Sequence, residues 1–244
     1  MKKTVIITGS SSGIGAAAAL EFAKIGCNVV INYNNSKENA LKVLEKVRGF
    51  GCLSIAVQAD VSKVREAEIL ISKCVEQFVG VDVLVNNAGI SEFKLFTDMT
   101  EHDWDKMIKT NLSSAFYCSK FAVKEMLKKH SGKIVNISSM WGMTGASCEV
   151  HYSAAKAGMI GFTKALAKEL GPSGINVNCI APGVIDTEMN RNLSSEDMLA
   201  LINDTPCGRL GTPEDIAKLI LFLTSDESSF ITGQVIGSNG GFLI

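Results

Sequence analysis

Residues 139–156 read SMWGMTGASCEVHYSAAK and bring a serine, a glutamate, a histidine, a tyrosine and a lysine into eighteen positions. Tyr152 and Lys156 are four apart, so on a helix they share one face. A phenol with a pKa of about 10 is a poor acid or base near neutrality. A lysine one turn away would stabilise the phenolate and lower that value. Such a tyrosine could exchange a proton with the oxygen of a reacting carbonyl or alcohol. Ser139 stands thirteen residues before Tyr152, beside Ser138, at the end of a β-branched run.

The other residues of the stretch carry smaller expectations. His151 adjoins Tyr152 but points to another side of the helix, as a packing or surface residue. Cys148 has no obvious base beside it, which argues against a nucleophile. Trp141 and Met143 either pack the loop or line a substrate mouth. Glu149 has two readings. It either repels anionic and pairs with cationic substrate groups, or it is a solvated acid favoured by the helix dipole.

These side chains need a scaffold. Short β-branched runs alternate with longer helical patterns: KTVIIT (3–8), NVVIN (28–32), LSIAVQ (53–58), VDVLVN (81–86), GKIVNIS (132–138), INVNCI (175–180) and QVIG (234–237). Most are apolar on both faces of the pleat, which predicts strands covered by helices on both sides. Helical stretches are expected at about 13–26, 36–49, 63–79, 101–130, 152–170 and 212–224. The last opens with Thr212 as N-cap, Pro213 in the first turn and acids next. The expected fold is one α/β domain over residues 1–244, a Rossmann-type doubly wound parallel sheet of about seven strands in three layers. Ligands then sit beyond the strand C-termini.

Bulk properties narrow the function. The net charge is −1 and no basic block occurs, so nucleic acid is a poor partner. No stretch approaches the roughly 18 apolar residues of a spanning helix, and TVIIT stops at Gly9, too soon for a signal core. Seven scattered cysteines without a CxxC fit reduced thiols in the cytoplasm. Three histidines at unrelated spacings give no metal site.

TGSSSGIGAAAAL follows the first run and sets Gly9, Gly13 and Gly15 ahead of an alanine-rich helix. Gly9 allows a tight turn, and Gly13 and Gly15 let main chain approach a pyrophosphate closely. The helix aims free N–H groups and its positive dipole end at that phosphate. The turn implies a dinucleotide; if it is a nicotinamide dinucleotide, its oxidised ring would add to Lys156 in lowering the Tyr152 pKa. The second run ends INYNNSK, with no carboxylate to accept from a ribose 2′-OH. Asn34, Asn35, Ser36 and Lys37 could instead bind a 2′-phosphate. NADP(H) is favoured, with NAD(H) as the alternative.

Together TGSSSGIG, NNAG (86–89), Asn111, Ser139, YSAAK (152–156), PGVIDT (182–187) and TGQVIGSNGG (232–241) resemble the short-chain dehydrogenase/reductase family, almost from end to end. The resemblance implies that Gly9, Ser11, Ser12, Gly13, Ile14 and Gly15 hold the phosphates, with Tyr33, Asn34 and Asn35 near the ribose. Ser12 replaces the Arg or Lys frequent in the family. Asp60 and Val61 would contact adenine, although a strand-end turn or helix cap is the competing role for Asp60. Asn86, Asn87, Ala88 and Gly89 would line the adenosine side and brace the central strand. Pro182, Gly183, Ile185 and Thr187 would support the carboxamide. By the same likeness Ser139 hydrogen-bonds the substrate oxygen, Ser138 being the weaker candidate. Lys156 also holds the nicotinamide ribose. Asn111 kinks its helix and holds a water in a proton relay to Lys156.

Within the family the general likeness is greatest to enzymes that reduce 3-oxoacyl groups on acyl carrier protein. That carrier is acidic and implies basic docking residues, for which Lys128, Lys129 and Lys133 are candidates. The second basic position usual there is Ser173 in this chain. WGMTGASCEV also resembles a subgroup that reduces a 5-aminopentanone group on modified elongation factor P. Its amine would give Glu149 a partner. A non-catalytic dinucleotide sensor is the third alternative, against which the intact set Asn111, Ser139, Tyr152 and Lys156 stands. Ser139, Trp141 and Glu149 are thus the substrate-side candidates. Residues 188–211 read as a lid, its Met189 and Met198 serving as substrate contacts or as helix packing. The family is usually tetrameric, and Ala155, Met159, Phe162 and Leu166 give helix 152–170 an apolar face compatible with that.

Overall fold

Seven apolar runs become seven strands of one sheet. The computed structural model describes residues 2–190 and 194–244. Strands β1 (Thr4–Ile7), β2 (Asn28–Tyr33), β3 (Ser54–Gln58), β4 (Val83–Asn86), β5 (Gly132–Ile137), β6 (Ile175–Pro182) and β7 (Val235–Ser238) lie in the order β3-β2-β1-β4-β5-β6-β7. Every pairing is parallel. The winding reverses between β1 and β4, which opens a crevice at their C-terminal ends.

Side chains along each strand alternate between the two faces. Val5 and Ile7 of β1 pack with α1 (Gly13–Lys24), α2 (Lys37–Arg48) and α9 (Pro213–Leu223). Ile6 between them packs with α3 (Val64–Phe78), α5 (Ser114–Leu127) and α7 (Val150–Leu170) on the other side. Two apolar cores therefore sandwich the sheet in three layers. Ile6, Ile31, Leu70 and Leu84 are fully buried, and each contributes about 1.5–3 kcal/mol of burial. All seven cysteines are free thiols. Among the described residues no helix is long and apolar enough to cross a membrane, and no group of ligating side chains could hold a metal.

Helix 212–224 starts as its sequence predicts. Thr212 accepts from the Asp215 N–H, Asp215 accepts from the Thr212 N–H, and Pro213 opens the first turn. The stretch 101–130 is not one helix. It divides into α4 (Glu101–Ile108), a π-helical turn at Lys109–Ser113 and α5, which stops at Leu127. The Asn111 side chain sits in that turn and donates to the Met107 carbonyl at 3.2 Å. A side-chain donor competing for a helical carbonyl widens the ladder there.

Candidate active site

The glycine turn joins β1 to α1 at the C-terminal edge of the sheet. Gly9 and Gly13 have φ of 60° and 53°, values that favour glycine. A Cβ on Gly15 would lie 2.6 Å from the Gly9 carbonyl oxygen and 2.7 Å from Asn87 Nδ2, so only glycine packs there. The turn is braced from β4: Asn87 Nδ2 donates to the Thr8 and Gly9 carbonyls, each at 3.0 Å. Thr8 Oγ1 accepts from the Asn87 and Ala88 N–H groups. From β2, Asn32 Oδ1 accepts from the Gly9 N–H.

The start of α1 carries no side-chain cap, like the starts of α2, α3 and α7. Capping boxes close α4, α9 and α8 (Ser195–Asp204), whereas the Ser12 side chain caps nothing. The first N–H groups of α1 are thus left for an outside acceptor. This cradle fits a dinucleotide phosphate, held by main chain at Gly9 to Gly15. Ser11, Ser12 and Ile14 lie on the same turn.

At the end of β2, Tyr33 is buried while Asn34, Asn35, Ser36 and Lys37 are exposed. Asp60, after β3, accepts from the Ser62 N–H and hydroxyl and pairs with Lys63 at 3.3 Å. The turn role for Asp60 is the one its hydrogen bonds show, and Val61 beside it is buried.

The candidate catalytic residues come from three elements. Ser138 and Ser139 follow β5, Tyr152 and Lys156 lie on α7, and Asn111 lies in the π turn. The two serines divide their tasks. Ser138 Oγ donates to the Lys156 carbonyl at 2.8 Å and ties α7 to the sheet. Ser139 Oγ accepts from the Trp141 N–H at 3.1 Å and lies close enough to the Tyr152 phenol to favour its ionised form. Lys156 Nζ donates to the Ile137 carbonyl at 2.9 Å and lies 5.5 Å from the centre of the Tyr152 ring.

Burial dominates both titrations. It pushes the Lys156 ammonium down to about 8 and the Tyr152 phenol up to about 12. Ser139 partly opposes the rise in Tyr152, and the Glu149 carboxylate adds to it. The lowered tyrosine value expected from sequence is therefore not the state of the protein alone, because desolvation outweighs the opposing influence of Ser139. The phenol keeps its proton at neutral pH.

Asn111 is fully buried; its Oδ1 accepts from the Ile90 N–H and its Nδ2 donates to the Ile90 carbonyl. A Cβ on Gly89 would lie 2.5 Å from Asn111 Oδ1 and 3.5 Å from Lys156 Nζ. The missing side chain keeps the space between those two groups open.

A cavity of about 690 Å³ opens over the candidate catalytic residues. Ser139, Tyr152 and Lys156 line it, with Ile14, Asn87, Gly89, Pro182, Gly183, Ile185 and Thr187 toward the glycine turn. Trp141 and Glu149 line the other side. Of the lid methionines Met189 faces the cavity, and the cavity-facing residues of α8 are Asp197, Ala200 and Leu201 rather than Met198. Arg191, Asn192 and Leu193, within the same expected lid, lie outside the described residues. Met143, outside that lining, is 47% exposed.

Glu149 differs from the solvated acid of one reading. It is only 4% exposed, and among the described residues its side chain makes no cap on α7 and no ion pair. Burial raises its carboxyl to about 7. His151 is fully buried with neither ring nitrogen hydrogen-bonded, and burial lowers its pKa, so it is a packing residue. Cys148 holds a left-handed φ of 60° and its carbonyl accepts from the Lys94 N–H.

Sequence reasoning missed Phe93 and Leu201, which line the cavity. Leu201 had a signal in the short helical pattern of α8; Phe93 stands in an irregular loop and had none. The candidate docking lysines lie elsewhere. Lys133 opens β5 while Ser139 follows its far end, so they sit at opposite edges of the sheet, about 20 Å apart at 3.3 Å per residue. Lys128 pairs with Glu125, Lys129 with Asp82, and Lys133 Nζ donates to Asn176 Oδ1.

The model of a family described as enoyl-(acyl carrier protein) reductase matches residues 9–243. The 3-oxoacyl-[acyl-carrier-protein] reductase of Staphylococcus aureus is 44% identical over 241 residues, covering 99% of this chain and 98% of the relative. The enzyme of that name from Thermotoga maritima is 41% identical over 242 residues, covering 99% and 98%. A solved structure described as a short-chain alcohol dehydrogenase from Sinorhizobium meliloti 1021 superposes with a TM-score of 0.95 at 33% identity, covering 99% of this chain and 97% of the other. The chain belongs to the short-chain dehydrogenase/reductase family and is an oxidoreductase of CH–OH and C=O groups that uses a nicotinamide dinucleotide.

Proposed function

We propose that the protein reduces a ketone to a secondary alcohol with NADPH, Tyr152 supplying the proton. The observation that carries this reading is a buried phenol lining the cavity together with Ser139 and, one helical turn away, Lys156. The dinucleotide, when bound along the glycine turn, supplies hydride to the carbonyl carbon. Ser139 and Tyr152 together hold the carbonyl oxygen. As that carbon is reduced, the C=O π electrons move to oxygen and the phenolic proton follows them. Leaving a buried phenolate is costly, and the Lys156 ammonium stabilises it. Lys156 then returns a proton to Tyr152, and the gap at Gly89 lets a water beside Asn111 restore the lysine.

The exposed, carboxylate-free end of β2 supports NADPH over NADH, since nothing there repels a 2′-phosphate. Segment 188–211 acts as the lid, with Met189 and Leu201 over the substrate. The exposed Phe116 edge against Phe162, on α5 and α7, supports assembly of copies through those helices.

The substrate has two readings. The names of the relatives, and an apolar wall that includes Phe93, Ile137 and Leu201, support a 3-oxoacyl thioester. The unpartnered Glu149 carboxylate in that wall supports a ketone carrying an amine, such as the 5-aminopentanone group on elongation factor P. A buried carboxyl gains most from a cationic partner. Lys128, Lys129 and Lys133, partnered at the far edge, are not placed to dock an acidic carrier at the mouth of a single chain.

A kinetic panel tests both levels: acetoacetyl-CoA, a neutral ketone and an amino-ketone, each with NADPH and NADH. Turnover of at least one ketone with NADPH preferred is expected. Tight nucleotide binding with no carbonyl consumed contradicts the reaction and leaves a dinucleotide sensor. Preference for acetoacetyl-CoA over the amino-ketone removes the amine reading alone.

A further inference from the structure

The turn after β7 touches both walls of the cavity. Asn239 Oδ1 accepts from the Gly241 N–H at 3.0 Å and Asn239 Nδ2 donates to the Leu243 carbonyl at 2.9 Å, folding the chain back on itself. Gly240 and Gly241 take φ of 65° and 86° within it. On one side the turn meets the base of the lid. The Cys207 N–H donates to the Gly240 carbonyl at 3.0 Å, and a Cβ on Gly240 would lie 2.6 Å from Thr205 Cγ2. On the other side the Phe242 ring meets the Trp141 indole edge to face, 5.9 Å between centres at 88°. This is the preferred geometry of an aromatic pair.

Trp141 is also held through its short helix α6 (Trp141–Thr144) and by packing against the buried cluster of Met107, Tyr152 and Ala155. Its N–H donates to Ser139 Oγ, and a Cβ on Gly142 would lie 2.7 Å from the Lys156 carbonyl carbon. The indole itself lines the cavity, and among the described residues Phe242 is its one recorded ring partner.

We infer that Phe242 is a positioning residue for substrate: through Trp141 it fixes the cavity wall and the Ser139 hydroxyl, and through the turn it registers that wall against the lid base. The inference rests on the ketone-reductase reading of the cavity. It requires that losing the ring affect ketone binding first and leave the glycine turn, which Phe242 does not touch, intact.

Phe242→Ala tests it, with Phe242→Tyr as the variant that keeps the ring and Phe242→Leu as one that keeps apolar bulk should the alanine form fold poorly. In Phe242→Ala, and more weakly in Phe242→Leu, kcat/KM for the ketone should fall about 3- to 10-fold, the scale of an aromatic pair. The loss should lie mainly in KM, with NADPH affinity unchanged and Phe242→Tyr near the parent. The chain has two tryptophans. In a Trp104→Phe background Trp141 alone reports, and its emission should shift to the red when the Phe242 ring is removed. That signal is independent of turnover, so a protein inactive on every ketone would refute the reductase reading while the contact was still tested. Unchanged KM and emission in Phe242→Ala, or a parallel loss of NADPH affinity, would overturn the inference.

Discussion

The two ends of the cleft are built differently. The glycine turn is made of main chain and short polar side chains from neighbouring strands, and Thr8, Asn32 and Asn87 each serve the turn through a hydrogen bond. The substrate wall is assembled from distant segments around 93, 141–149, 189–201 and 242. It also holds Glu149, a buried carboxyl with no hydrogen-bond or ion-pair partner among the described residues, and Cys148 in a left-handed conformation. The turn is braced by its own hydrogen bonds and leaves only main-chain N–H groups for a ligand, whereas the wall presents a side-chain carboxyl.

That contrast can be broken first at the turn. Gly15→Ala puts a methyl group against the Gly9 carbonyl and Asn87, and NADPH affinity should fall on the order of 100-fold, about 2.7 kcal/mol. Fluorescence titration reads it, and an unchanged affinity would move the cradle elsewhere.

Glu149→Gln sharpens the other side through stability. The folded carboxyl titrates at about 7 against 4.5 when exposed. Between those values the folded state binds more protons than the unfolded, so wild-type stability falls as pH rises from about 4.5 through 7. The glutamine variant lacks that slope and should be more stable than wild type by about 1–3 kcal/mol at pH 8, with the difference vanishing near pH 4.5. Urea unfolding at the two pH values measures it. Kinetically the same variant should lose about tenfold in kcat/KM for an amino-ketone, roughly 1.4 kcal/mol, and keep its rate with acetoacetyl-CoA. A parallel fall with both substrates would deny Glu149 any part in selection.

The smallest effect belongs outside both regions. Lys128→Ala removes an exposed pair with Glu125 and should change stability by less than about 1 kcal/mol. KM for a 3-oxoacyl group on acyl carrier protein should not move, and a clear rise would restore the far edge as a docking face.

What the sequence made legible follows the same division. The glycine turn, the seven strands and the Tyr152–Lys156 pair are local patterns, set by spacing and by which residues tolerate a turn or share a helical face. The break at Asn111 was invisible to periodicity, because a π turn needs neither Pro nor Gly to announce it. That Glu149 would be buried, that Lys133 would fall at the far edge from Ser139, and that Phe242 would reach Trp141 depend on how distant segments pack. Sequence left Glu149 divided between a solvated cap and a substrate contact; its burial in the cavity wall removes the first.

The central claim is that Tyr152 delivers the proton in ketone reduction. Its direct test is NADPH oxidation by wild type and Tyr152→Phe on whichever ketone the panel selects, alongside NADPH affinity for both. The account predicts a rate lower by about 10²- to 10⁴-fold in Tyr152→Phe with nucleotide affinity unchanged. Full activity in that variant would contradict it.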